Sequence, residues 1–207
     1  MGWANRLTVG RGILSLVLWA LLHVIGDGHE HDSPLWWTAF GLFTVTAFTD
    51  VLDGWLARRY GDVSVFGRIA DPLVDKLLIL GSALFLLPID GVSMYLPPSV
   101  VGVMLLRELL VTTLRAHVEA SGQNFQAGTW GKWKMLAQCI AVGGVMWAGA
   151  GVAFCRAPIW DMGGAPAVRG QPTLPWVLSV LAALVTAASG VEYVVRARAA
   201  LRANRRA

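Results

Sequence analysis

Apolar residues gather into six runs, approximately Leu7–Ile25, Leu35–Arg58, Asp71–Leu87, Pro98–His117, Met135–Phe154 and Leu174–Val195. Each approaches the roughly 20 residues a helix needs to cross the hydrocarbon layer of a membrane. Chain breakers punctuate the gaps: Gly26-Asp27-Gly28, Asp90-Gly91, Pro97-Pro98 and Gly163-Gly164-Ala165-Pro166. Such clusters mark turns because glycine reaches unusual dihedrals and proline cannot continue a helix. The pattern predicts an all-α integral membrane protein, a bundle of six transmembrane helices forming one domain over residues 1–207. No internal repeat or low-complexity segment interrupts it. The Arg-rich stretch from Arg196 to Arg206 is expected to be a helix end lying at the membrane surface, held by anionic lipid.

Composition sharpens this picture. The chain of 207 residues is 56% hydrophobic and only 14% charged, with a mean hydropathy of +0.57. A soluble fold of this size leaves too much of its chain exposed to hide that much apolar surface. The formal charge of +4 does not point to nucleic acid, because the basic residues flank apolar runs instead of forming a patch. With a cytoplasmic N-terminus, the inner segments hold Arg6, Arg11, Arg58, Arg59, Arg68, Lys132, Lys134 and the basic tail, and the outer loops only Arg156 and Arg169. That asymmetry predicts both termini in the cytoplasm and a multi-pass protein of the inner membrane. Arg6 and Arg11 before an apolar run resemble a signal peptide, but no small-x-small cleavage pattern follows, so a retained first span is expected. Cys139 and Cys155 share one predicted helix about 24 Å apart, beyond disulfide reach. Trp36, Trp37, Trp130, Trp133 and Trp176 fall near span ends, where indoles anchor helices. His29, Glu30, His31 and Asp32 read as a solvated loop, since no further ligand spacing accompanies them.

Carboxylates inside apolar spans are costly and mark function by default. Asp50 and Asp53 close the second span, while Asp71 and Asp75 open the third. Spacings of three and four residues put each pair on one helical face. The connection between the spans is short and basic, so the helices are antiparallel neighbours and both pairs share one cytoplasmic depth. Four carboxylates there repel one another unless a cation intervenes, and hard divalent ions such as Mg²⁺ bind carboxylate oxygen. Between the acids, Gly54 and Ala57 are small enough for a ligand to approach the backbone. Arg58 offers a planar fork suited to phosphate, and Gly67 a second point of close approach. Metal, small residues and arginine together suit a pyrophosphate-bearing nucleotide.

The run Asp50-x2-Asp53-Gly54-x2-Ala57-Arg58-x8-Gly67-x3-Asp71-x3-Asp75 resembles the signature of the CDP-alcohol phosphatidyltransferase family at all eight positions. The resemblance implies six transmembrane helices, a homodimer, and an active site open to the cytoplasmic leaflet. It implies Mg²⁺ or Mn²⁺ on Asp50, Asp53, Asp71 and Asp75, and a CDP-binding set of Asp53, Gly54, Ala57, Arg58 and Gly67. Asp75 is the position that family uses as general base. The implied reaction moves a phosphatidyl group from CDP-diacylglycerol to an alcohol.

The acceptor is read from other residues. Arg107 and Arg115 in the fourth span are eight residues apart, within about 80° around the helix, so both can face one cavity. Lys132 and Lys134 precede the fifth span on the same side. Four cations near an acidic metal site favour an anionic acceptor, a sugar or glycerol phosphate; Glu108 is expected to pair with an arginine. Asn5-x-Leu7-Thr8-x2-Arg11, Arg107-Glu108-Leu109-x5-Arg115 and Gly131-Lys132-x-Lys134-x3-Gln138 resemble the phosphatidylglycerophosphate synthase branch, with Met135 departing from its pattern. That resemblance implies glycerol 3-phosphate as acceptor, its phosphate held by Arg107, Arg115, Lys132 and Lys134, and adds Thr8 to the CDP-binding set. The last span resembles nothing beyond its hydrophobicity. The alternatives are a sibling acting on inositol phosphate or phosphatidylglycerol (a cardiolipin synthase), or an ion- or proton-coupled transporter. Against the transporter, the acids cluster at one leaflet and no pair of broken helices is visible.

Overall fold

The computed structural model describes residues 3–29, 32–60, 65–92, 94–120, 130–155 and 174–204; within these, the side chains of 3, 4, 33, 51–60, 65–69, 130, 132, 151–155 and 200–204 are outside the description. Every regular element among the described residues is helical. Helix α1 is Trp3–Gly26, α2 Ser33–Tyr60, and α3 Val65–Lys76, which runs through a π-helical turn at Leu77–Gly81 into α4, Ser82–Leu86. Three long helices follow: α5 Pro98–Ala120, α6 Trp130–Cys155 and α7 Leu174–Asn204.

These elements coincide with the six apolar runs, with α3, the π turn and α4 together forming the third. Breaker residues stop the chain where expected: Gly28 has φ +101° and Gly91 φ +76°, dihedrals glycine reaches without a Cβ clash. The threonine hydroxyls of α2 are satisfied locally. Thr38, Thr44, Thr46 and Thr49 each donate to the carbonyl four residues earlier, as a polar group in a poorly hydrated setting must. The basic tail continues α7 as far as Asn204.

Helices α6 and α7, α5 and α7, α2 and α6, and α1 and α2 pack against one another. The core holds Leu18, Leu22 and Ile25 of α1, Trp36 and Phe43 of α2, Met104 of α5 and Met146 of α6. Close approaches depend on missing side chains. A Cβ on Gly149 of α6 would sit 2.8 Å from the Trp36 ring, so glycine lets the largest buried residue seat between α2 and α6. A Cβ on Gly81 would overlap the Trp19 indole, which stacks on Phe85 at 5.6 Å between ring centres. Trp19 therefore sits against the last residue of the π turn. Such turns accommodate an extra residue and recur beside functional groups; this one begins two residues after Asp75.

The outer surface is apolar. Phe48 is 62% exposed, Leu106 66% and Val191 65%, and large apolar side chains are exposed on every long helix, as on a lipid-facing surface. Among the described residues, two helical stretches, Asn5–Gly26 and Leu174–Ala199, are long and apolar enough to cross a membrane by length and hydropathy alone. The chain is that of a membrane protein.

Candidate active site

Two pieces of the site lie on either side of Asp75. The first forms where α1, α2 and α3 converge. Arg11 of α1 is 2% exposed. Its guanidinium reaches Oδ1 of Asp50 at 2.6 Å and Oδ1 of Asp75 at 2.5 Å. Two carboxylates from different helices thus share one cation, as their repulsion demands at this depth. Thr8, one turn earlier on α1, donates to Oδ1 of Asp71 at 2.6 Å. Ser15, one turn later, returns its hydroxyl to the Arg11 carbonyl at 2.9 Å. Arg11 Nε is buried and has no acceptor among the described residues.

Three of the four predicted aspartates are therefore gathered along one face of α1. Of Asp53, Gly54, Ala57 and Arg58, α2 supplies the helical backbone, but their side chains, and that of Gly67's helical segment, are outside the description. Thr8, expected among CDP-binding groups, directs its hydroxyl to Asp71. Among the described residues, no three His, Cys, Asp or Glu side chains form a metal cluster. The donor chemistry nonetheless suits a hard cation: Asp50 and Asp75 present carboxylate oxygens to one positive charge, the Arg11 guanidinium.

The second piece is a cavity of about 520 Å³ walled by α3, the π turn, α5 and α6, within the range of small-molecule sites. Arg107, Arg115 and Lys134 line it as predicted, and Asp75 and Lys76 form its α3 wall. Lys132's side chain is outside the description. Glu108 is buried and holds two cations together, Arg107 at 3.1 Å and Lys134 in close contact. The expected single Glu–Arg pair is thus a three-membered group. Lys76 donates to the Thr112 hydroxyl at 2.6 Å. Neither Lys76 nor Arg115 has an ion-pair partner among the described residues. Four cations in the wall outnumber its acids Asp75, Glu108 and Glu119, which favours an anionic occupant.

Reasoning along the sequence missed two contributors. Arg11 was assigned to membrane orientation, although Thr8, Arg11 and Ser15 make a polar stripe at helical spacing in an otherwise apolar span. Lys76 follows Asp75 directly and carries no signal of its own in the sequence. A buried polar stripe was the available signal for the first; for the second there was none, because its role depends on how α5 crosses α3.

These features define a membrane protein with an acid cluster beside a cationic pocket. The sequence model of the CDP-alcohol phosphatidyltransferase family matches residues 1–187, and the chain belongs to that family. Within it, the chain is 39% identical over 142 residues to a protein of Mycobacterium tuberculosis named probable phosphatidylglycerophosphate synthase, covering 68% of this chain and 63% of the relative. It is 31% identical over 108 residues to the CDP-diacylglycerol–glycerol-3-phosphate 3-phosphatidyltransferase of Haemophilus influenzae (51% of this chain, 57% of the relative). The enzyme of that name from Bacillus subtilis is 37% identical over 105 residues (51% and 52%). The matched stretch spans between half and two thirds of these relatives' own length.

Proposed function

We infer that the protein transfers the phosphatidyl group of CDP-diacylglycerol to glycerol 3-phosphate, giving phosphatidylglycerol phosphate and CMP. The observation that carries this reading is the position of Asp75. It belongs at once to the Arg11-linked acid group and to the wall of the cationic cavity, so one carboxylate faces both substrates. The names of the relatives support the choice of donor and acceptor.

In this mechanism Asp75 accepts the proton of the acceptor hydroxyl as its oxygen bonds to the phosphorus that carries diacylglycerol. The bond from that phosphorus to the bridging oxygen breaks, and CMP departs with the electron pair. Asp50, Asp53, Asp71 and Asp75 would hold Mg²⁺ or Mn²⁺, which when bound neutralises charge on the pyrophosphate. Gly54, Ala57, Arg58 and Gly67 complete the CDP cradle. Arg107, Arg115, Lys132 and Lys134 fix the acceptor phosphate, and holding both reactants in line supplies much of the rate gain.

The reading places six spans in the inner membrane, with both termini and the site on the cytoplasmic side and a homodimer as the assembly. It is supported by the bias of Lys and Arg toward one set of connections. The test is CMP release by the detergent-purified chain given CDP-diacylglycerol, Mg²⁺ or Mn²⁺ and a panel of alcohols. Release with glycerol 3-phosphate alone is expected. Release only with inositol phosphate or phosphatidylglycerol would reassign the acceptor, and no release with any alcohol would return the acids to ion transport.

A further inference from the structure

Helix α7 carries a buried row of hydroxyls, Thr186, Ser189 and Tyr193. Their spacing keeps them within about 60° of one another around the helix. Hydroxyls in an apolar helix can be satisfied by their own backbone, as those of α2 are. These three also reach outward. Thr186 accepts from Gln138 Nε2 of α6 at 3.0 Å. Ser189 donates to the Thr186 carbonyl at 2.8 Å and accepts from Arg107 Nε of α5 at 3.1 Å. Tyr193 accepts from Arg115 Nε at 3.1 Å, and the Arg115 guanidinium carbon lies 5.9 Å from the centre of its ring.

All three partners, Gln138, Arg107 and Arg115, line the cationic cavity. In both arginines it is Nε that α7 engages, so the terminal fork remains for other partners. Gly190 completes the arrangement. A Cβ there would lie 3.2 Å from Arg107 Cγ, so the bare backbone lets the arginine stem rest on α7. Arg107 is also fixed by Glu108, whereas Arg115 has no ion-pair partner among the described residues. The orientation of Arg115 therefore depends most on α7.

We propose that Thr186, Ser189 and Tyr193 are positioning residues that aim Gln138, Arg107 and Arg115 at the phosphate of the acceptor, with Tyr193 carrying the largest share. This rests on the reading that the acceptor is a phosphorylated alcohol. It gives α7 a part in substrate selection beyond spanning the bilayer.

The test compares Tyr193→Phe with wild type in CMP release, varying glycerol 3-phosphate and CDP-diacylglycerol separately. Phenylalanine keeps the ring against the guanidinium and removes only the hydroxyl. Losing a hydrogen bond to a charged group should raise the KM for glycerol 3-phosphate about tenfold. The KM for CDP-diacylglycerol should stay unchanged, and the thermal midpoint should fall by only a few degrees. The preference for glycerol 3-phosphate over glycerol should fall by the same factor, which a merely structural role would not produce. Should Tyr193→Phe fail to fold, Gly190→Ala provides the second variant. It displaces Arg107 by a few tenths of an ångström and should raise the same KM several-fold. An acceptor KM within about twofold of wild type, or both KM values moving together, overturns the proposal. The wild-type control separates the two readings. Glycerol 3-phosphate-dependent release with an unmoved KM in the variants defeats the role of α7 alone, whereas wild-type release with only an uncharged alcohol defeats both.

Discussion

The two sides of Asp75 solve the problem of buried charge in opposite ways. Toward α1 and α2, two acids share one internal cation, Arg11. Toward α5 and α6, two cations share one internal acid, Glu108. The first group carries excess negative charge and is a quarter exposed at its aspartates, so it can accept an external cation. The second carries excess positive charge, is buried at Glu108 and Lys134, and opens onto a cavity that can accept an external anion. One arrangement recruits metal and the other phosphate, and the residue between them has to serve both.

The largest expected effect comes from the shared residue. Asp75→Asn keeps the shape of the side chain and most of its bond to Arg11 but cannot take a proton. Turnover should fall about 10²–10⁴-fold, the usual contribution of a positioned base. Binding of CDP-diacylglycerol, followed as a shift in thermal midpoint, should largely persist. A variant that loses donor binding as completely as turnover would make Asp75 chiefly part of the metal site.

The contrast between the two groups can be broken directly. Glu108→Gln leaves Arg107 and Lys134 buried without an acid, and removing one member of a buried ionic group typically costs about 3–5 kcal/mol. Arg11→Gln leaves Asp50 and Asp75 facing each other without their cation; their partial exposure puts the loss nearer the lower end, about 3 kcal/mol. Divalent metal should separate the variants. Mn²⁺ should restore much of the thermal midpoint of Arg11→Gln, because it replaces the missing positive charge, and should leave Glu108→Gln unchanged. Equal rescue of both, or of neither, would remove the distinction between a metal-seeking and a phosphate-seeking half.

A smaller effect tests the cationic half alone. In Arg107→Ala the Glu108–Lys134 pair survives, so folding should persist. The acceptor KM should rise about 10–100-fold with little change for CDP-diacylglycerol. An unchanged acceptor KM would show that the cavity does not hold the acceptor.

The same contrast explains how far the sequence could be read. Six apolar runs foretold six helical stretches because the hydrophobic pattern and the helix period are local properties. The acid side was legible because Asp50, Asp71 and Asp75 lie on two consecutive helices joined by a short connection, so spacing alone put them together. The cation side was half legible. Arg107, Arg115 and Lys134 stood out as charges in apolar surroundings, but their partners did not. Ser189 is 82 residues from Arg107 and Tyr193 is 78 from Arg115, and no periodicity within α7 reveals which helix it will face. Arg11 was hidden differently. Its charge suited the rule that orients membrane helices, and its stripe with Thr8 and Ser15 marks a face of α1 without naming the acids that α2 and α3 bring to it. The π turn at Leu77–Gly81 was hidden too, since no residue type in that apolar run marks it.

The smallest effect sharpens the acid side. Thr8 donates a hydrogen bond to Asp71 at 2.6 Å, and Thr8→Val keeps its volume and branching while removing the donor. A single bond to a partly hydrated carboxylate is worth about 1 kcal/mol, so the fold should hold. Asp71 would lose the contact that fixes its orientation beside Asp50 and Asp75. Mn²⁺ affinity, measured by titration calorimetry on the substrate-free protein, should weaken several-fold, and Thr8→Ser should restore it. The acceptor KM should stay put, because α1 supplies nothing to the cavity wall among the described residues. If Thr8→Val instead shifted the acceptor KM and spared metal affinity, the two halves would be energetically joined through α3, and the division of labour across Asp75 would have to be abandoned.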